Sequence, residues 1–193
     1  NTASDEFRQR YAHNKSLVME FRNKQFSARY DRPQRDLDRL KKHKKQTTRE
    51  RLAKLLDPGT PFLELCSLAA NMAYDGDSPS ASTVIGIGIV SGREVIIHAD
   101  DPSIKGGAWY PHTVKKIVRC LDIAIENRLP VVHLCDSAGG QLMHQSLLFP
   151  DKHMAGRIFR NQSILSKMGV KQLSIVLGHC TAGGAYIPGL SDY

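Results

Sequence analysis

The sequence predicts an α/β fold with parallel strands, preceded by a basic helical arm. Three observations carry that prediction. From residue 93 onward an apolar strand pattern, a loop with paired glycines and a helical pattern recur three times. Just before them "TVIGIGIV" and "REVIIHA" alternate as strands do, joined by the short turn Ser91-Gly92. The positive charge is confined to the leading segment: residues 1–56 hold 16 Lys/Arg against 7 Asp/Glu, which leaves 11 against 12 for residues 57–193.

Taken in order, Phe7, Tyr11, Val18 and Phe21 recur at helical spacing between polar residues, so 5–27 reads as an amphipathic helix. Pro33 interrupts it, and a second basic helix follows with Leu37 and Leu40. Thr47 and Glu50 are spaced as a capping box for a helix over 48–56 that ends at "DPG". The arm is thus 1–58 and the body 59–193. "FLELCSLAA" is read as a strand, and "YDGDSPSAS" as a turn-rich loop. Gly86 and Gly88 lie inside a strand and mark close packing, not a dinucleotide loop, because another strand follows where such a loop needs a helix.

The repeated units are "VIIHADDPSIKGGAWYPHTVKKIVRCLDIAIENR", "PVVHLCDSAGGQLM" with the helix "HMAGRIFRNQSILSKMG", and "QLSIVLGHCTAGGAY". Alternation of apolar strands with helices implies α/β layering. It places Gly106-Gly107, Gly139-Gly140 and Gly183-Gly184 together at strand C-terminal ends, where such folds bind ligands. Paired glycines let a ligand approach the main chain, and the first amides of a helix have no intrahelical partner. "TAGGAY" is therefore a candidate oxyanion hole for an acyl or thioester carbonyl.

Other chemistries fit less well. "CDSAG" lacks the first glycine of a nucleophile elbow, which argues against Ser137 as a nucleophile. The histidines show no metal-binding spacing, and His133 and His179 read as packed or hydrogen-bonded. Asp100, Asp101 and Asp136 read as loop-capping groups. Cys66, Cys120, Cys135 and Cys180 form no C-x-x-C and read as buried free thiols. No run approaches the roughly 18–20 apolar residues of a membrane span, and the N-terminus carries no leader pattern. Neither a membrane nor a metal is expected. The basic stretch "RLKKHKKQTTRER" lacks aromatics for base stacking, which favours a solvated helical face or one docked on an acidic partner over nucleic acid.

The stretches "RERLAKLLDPGTPFLEL", "GIGIVSGREVIIHADDPSIKGGAWYPHTVKK", "ENRLPVVHLCDSAGGQLMHQSLLFPDK" and "GHCTAGGAYIPGLSD" together resemble the N-terminal half of the carboxyltransferase (β) subunit of biotin-dependent acyl-CoA carboxylases. The methylcrotonyl-CoA type, with "KGGAYYP" and "CTAGGAYVP", is the nearest in pattern. The resemblance spans roughly residues 47–193 and implies a crotonase-like (ClpP/crotonase) spiral of ββα units, here an incomplete N-terminal carboxyltransferase domain.

It also implies transfer of a carboxyl group from carboxybiotin to an acyl-CoA through an enolate held by backbone amides. Carried over, Gly183 and Gly184, with Ala185 as a second donor, match the catalytic oxyanion segment. Lys105, Gly106, Gly107 and Ala108 match a loop on the CoA side, and Ser137, Ala138, Gly139 and Gly140 match the second glycine loop. The family more often reads "DSGGA" there, so the pair in "DSAGGQ" is shifted by one residue. Lys105, Lys115 and Lys116 are candidates for the CoA phosphates, and Trp109, Tyr110 and Tyr186 for the acyl pocket.

The implied partners are acyl-CoA, the remainder of the β subunit including the C-terminal domain expected to seat biotin, the biotin carboxylase/biotin carrier (α) subunit, and further β subunits in a hexamer. The chain by itself is expected to be inactive, and a bacterial cytoplasm or mitochondrial matrix to house the protein. Two other readings stay open: a crotonase-type hydratase or isomerase, for which Asp192 is the only nearby carboxylate, and a nucleic-acid-binding module using the arm.

Overall fold

In the computed structural model, which describes residues 2–193, the arm folds as three helices, α1 (Asp5–Tyr30), α2 (Gln34–Lys42) and α3 (Thr48–Leu55). Helix α1 ends where Pro33 bars the residue before it from helical geometry. Phe7, Tyr11, Val18 and Phe21 all remain exposed, so the helix forms but its apolar side is no part of this chain's core. The expected capping box is present on α3: Glu50 N donates to Thr47 Oγ1, and Thr47 N donates to Glu50 Oε2.

One five-stranded sheet organises the body, in the order β1 (Leu63–Leu65), β2 (Thr83–Val90), β3 (Arg93–Asp100), β4 (Val131–Ser137), β5 (Gln172–Cys180). The first three strands are antiparallel, and β3, β4 and β5 run parallel, as the three repeated units require. The β2–β3 hairpin turns on Ser91 and Gly92, both at positive φ (51° and 73°), and both amides donate to the Asp57 carboxylate. The strand expected over "FLELCSLAA" is only three residues long. Cys66 adopts a φ of 52°, outside the β region, and the chain turns away. Gly86 and Gly88 do mark close packing, since a Cβ on Gly86 would strike the Phe62 ring and one on Gly88 would strike Leu56.

Helices α4 (Pro111–Asn127) and α5 (Ala155–Lys167) cover one face of the sheet. Ile96, Val131 and Cys135 point into that layer with Ile117, Leu121, Ile158 and Leu165. The alternate residues Val95, Ile97, Ala99, Val132 and Leu134 pack with Leu52 of α3 on the other face. This strict alternation is the period of two that half of each strand's side chains must obey. His98 and His133, paired in register, are wholly buried, with Nδ1 to Nδ1 at 3.1 Å.

Five of the arm's cations pair with buried acids of the body. Arg32 reaches Asp101 at 3.0 Å, Arg29 and Arg49 share Glu64 at 2.8 and 2.7 Å, and Lys45 and Arg51 share Asp136 at 2.7 and 2.8 Å. The acidic partner expected for this segment is therefore, in good part, the chain itself. Of the three aspartates read as loop caps, Asp100 accepts the Asp136 amide and Asp101 the Ser103 amide, but the other oxygen of Asp101 and the Asp136 carboxylate hold arm cations.

Candidate active site

Because β3, β4 and β5 run parallel, the loops that follow them leave the same edge of the sheet. Their backbones are stitched together: Ala138 N donates to Gly106 O (3.0 Å), Trp109 N to Gly139 O (2.8 Å), and Thr181 N to Ser137 O (3.1 Å). Two glycines are joints in this weave. A Cβ on Gly107 would strike the Asp136 carbonyl, and one on Gly139 would lie 2.9 Å from the Thr181 carbonyl, both at positive φ. Ser137 Oγ closes the weave by donating to Gly107 O (2.7 Å) and accepting from Gly139 N (3.0 Å). That hydroxyl is a clasp and not a nucleophile.

A cavity of about 370 Å³ opens on these loops. Its walls are Trp109, Val114, Leu142, Gln145, Leu148, Phe149 and Ala155, together with the loop stretches 138–140 and 181–183. None of these side chains is a carboxylate, an imidazole, an amine or a thiol. Among the described residues no group accepts from the amides of Gly140, Ala182 or Gly183. Gly140 pairs with Trp109 through its neighbours' polar groups, so its own N–H faces the other way. Ala182 and Gly183 open a short 3₁₀ turn (Ala182–Ala185), whose first two amides have no partner within it. The three residues that carry these unpaired amides all line one largely apolar chamber.

This arrangement differs in detail from the expected one. Gly183 lines the cavity, but the Gly184 amide donates to Thr181 O (3.0 Å) and its Cα packs on Ser137. Ala185 is exposed and lies beyond the cavity wall. The helix expected to begin on "AGGA" is only this turn followed by α6 (Tyr186–Gly189), too short to carry much of a macrodipole. The socket rests on individual amides. Gly139, Gly140 and Ala138 share the cavity, whereas Gly107 and Ala108 are buried structurally.

Ala138 and Thr181 also belong to a second cavity of about 330 Å³. Arg39, His43 and Lys45 of the arm line it, with Gly106, Asp136 and His179. Of the lysines expected here, Lys105 pairs with Asp77 (2.9 Å), and Lys116 is buried, donating to Ser80 O, Ser80 Oγ and Thr83 O within 2.9 Å. Burial pulls the Lys116 pKa down to about 8, with Glu64 opposing. His133 is packed as expected, but His179 is exposed at the cavity edge. Cys120 and Cys135 are buried thiols, Cys180 is half-buried, and Cys66 is exposed, contrary to expectation, at the turn that ends β1. Burial raises the Cys120 pKa to about 12 and also raises Cys135 and Cys180, the latter two pushed further by Asp100.

Asp192 is displaced from the chemistry altogether. Its carboxylate accepts from Gln172 N (2.8 Å) at the opposite end of β5. Eight strand steps separate that end from Cys180, roughly 26 Å. Several residues that shape the site carried no functional reading in the sequence. Asp100 accepts from the Trp109 indole (3.2 Å) and from Asp136 N (3.1 Å), tying the cavity wall to the arm's anchor. Gly178 is glycine because the Asp136 and Lys45 side chains pass directly over it. A glycine inside a strand signals such an approach, although not what approaches.

A sequence profile of the carboxyl transferase domain matches residues 40–193. The chain is 48% identical over 176 residues to the biotin-dependent 3-methylcrotonyl-coenzyme A carboxylase beta1 subunit of Mycobacterium tuberculosis, covering 91% of this chain and 33% of that protein. It is 47% identical over 154 residues to the mitochondrial methylcrotonoyl-CoA carboxylase beta chain of Arabidopsis thaliana, covering 80% of this chain and 26% of the relative. Among solved structures, the beta subunit of P. aeruginosa geranyl-CoA carboxylase superposes with a TM-score of 0.75 at 39% identity, over 95% of this chain and 33% of that one. Transcarboxylase 12S, described as a hexamer assembly, gives 0.78 at 25% identity, over 99% of this chain and 35% of that one. The chain thus spans about a third of the length of such relatives. The parallel β3–β5 weave and its glycine loops are part of a crotonase-like α/β domain, and the chain belongs to the carboxyl transferase domain family.

Proposed function

We propose that this chain is the acyl-CoA-holding part of the carboxyltransferase subunit of a biotin-dependent acyl-CoA carboxylase. The observation that carries the reading is a chamber with three unclaimed amides and no titratable side chain. A thioester oxygen placed among Gly140, Ala182 and Gly183 N–H groups would be stabilised as it gains charge, and each such donor is worth about 10²–10³ in rate. The lining offers no base. A hydratase or isomerase needs its own carboxylate at the α-carbon, and Asp192, the one considered, stands at the wrong end of β5.

Biotin carried by a partner subunit would supply the proton acceptor and the carboxyl group. The residues of this chain fit that division of labour, because they orient and polarise the thioester while holding no proton-accepting group beside it. Carboxylation then falls on the α-carbon, or on the vinylogous γ-carbon of an enoyl thioester. The adjoining cavity, with Arg39, His43 and Lys45, suits the phosphates of CoA, and Ala138 and Thr181 form the shared wall. Gly106 lines this cavity, whereas Lys105 pairs with Asp77 outside its lining. Five cations of the arm, Arg29, Arg32, Lys45, Arg49 and Arg51, are engaged by carboxylates of the body, which favours docking of the arm on this chain over its use on nucleic acid.

The remainder of the β subunit, a biotin-carrying α subunit and further β subunits complete the enzyme on this reading. The exposed apolar residues of α1 and of the cavity rim, Leu142 and Phe149, support such partners. Relatives from bacteria and mitochondria support the bacterial cytoplasm or mitochondrial matrix as the setting. The test is ATP-dependent incorporation of labelled bicarbonate into an acyl-CoA by the full-length protein with its biotin-carrying partner. Incorporation abolished by avidin is expected. Hydration of enoyl-CoA, or exchange of the α-proton, without any biotin protein would overturn the assignment.

A further inference from the structure

From the packing at the cavity floor we infer that Leu148 sets which acyl groups the site accepts, and that residue 140 is glycine to make room for it. The inference rests on the proposed acyl-CoA site and goes beyond it to one specificity-determining side chain.

Leu148 and Gly140 both line the chamber, the buried leucine lying directly against the glycine. A Cβ on Gly140 would lie 2.6 Å from Leu148 Cδ1, closer than two carbons can stand. The leucine therefore occupies the space that an alanine at 140 would fill, beside one of the three free amides. This is also where the glycine pair of "DSAGGQ" is shifted by one residue from the "DSGGA" pattern. In this chain the glycine at 140 leaves Leu148 its room.

Leu148 cannot retreat. Its amide donates to Gln145 O (3.2 Å) and its carbonyl accepts from Ala155 N (2.9 Å), while its side chain is 2% exposed in the α4–α5 core. Leu142 and Phe149 at the mouth are exposed and free to move aside. Trp109 is fixed by Asp100 and forms a side wall. The inner limit on the acyl chain nearest the thioester is therefore the end of Leu148. Each methylene admitted or refused by an apolar wall changes kcat/KM by about tenfold or more.

The test uses the full-length protein with its biotin-carrying partner and compares kcat/KM for a branched five-carbon and a ten-carbon acyl-CoA. Leu148→Ala should raise the ratio of long to short substrate by about tenfold or more, and Leu148→Val should move it the same way by less. Leu148→Met, unbranched and of similar volume, should leave the ratio within about threefold. If Leu148→Ala does not fold, the valine variant carries the comparison. A ratio unmoved in both folded variants, with the wild-type protein active, overturns this inference and leaves the proposed function standing. A wild-type enzyme that carboxylates neither substrate overturns both.

Discussion

Asp136 is the point at which the arm is held to the site, and Asp136→Asn is the most informative single change. The carboxylate is 2% exposed and receives Lys45 at 2.7 Å and Arg51 at 2.8 Å, the arginine side chain being 5% exposed. Asparagine keeps the shape but removes the charge, and its amide presents a donor to one of two cations. Lys45, one-fifth exposed, can turn to water. Arg51 cannot, and its second guanidinium nitrogen, Nη1, already has no partner. Breaking a buried pair by removing one member costs about 3–5 kcal/mol. Against a total stability of about 5–15 kcal/mol this is a large fraction. With a urea m-value of about 1–3 kcal/mol/M, the midpoint should fall by more than about 1 M. Trypsin should then cut faster within the arm's cluster from Arg39 to Lys54. Adding Arg51→Met to the variant should recover more than half of the loss, because the stranded charge is gone. A midpoint within about 0.3 M of wild type, with the arm equally resistant to trypsin, would refute the anchoring argument.

Further outcomes follow from other parts of the structure. Gly183→Pro removes one free amide and should lower kcat by about 10²–10³ while acyl-CoA affinity, measured by calorimetry, changes little; an unchanged kcat counts against the socket. Burial, reinforced by the neighbouring His98, holds the His133 pKa well below its ordinary value, with Asp100 3.4 Å from His98 beyond. The unfolded chain takes up that proton near pH 6.5 and the native state does not, so stability is full above that pH and falls by about 1.4 kcal/mol per unit below it. His133→Gln should flatten this acid limb in urea titrations across pH 4.5–7, and an identical limb would sink the explanation. Thiol labelling should be fast at the exposed Cys66, slow at Cys180, and undetectable without denaturant at Cys120 and Cys135; rapid reaction of Cys120 would contradict its burial and raised pKa.

Much of this was legible in the chain because it depends on local pattern. The alternation of β2 and β3 around Ser91-Gly92, the capping box at Thr47 and Glu50, and the three strand–glycine–helix units are written within short windows. Parallel pairing of β3, β4 and β5 then follows, since strands joined by helices must cross over in one direction. The same crossover argument brings the glycine loops to one edge of the sheet.

What local pattern could not decide is which group meets which. Gly184 and Gly183 look alike in "TAGGAY", yet one amide is consumed by Thr181 O and the other borders the cavity. Nothing near Asp136 in sequence announces Lys45 or Arg51, because ion pairs between residues 85 to 91 positions apart leave no periodic trace. The apolar side of α1 was legible, but its burial was not, since coverage depends on which surface lies opposite. Sequence determined the strands, their direction and the glycines at their ends. Only the folded chain determined which amides stay free, which leucine closes the chamber, and where the arm's charges come to rest, because these are matters of distance across the fold.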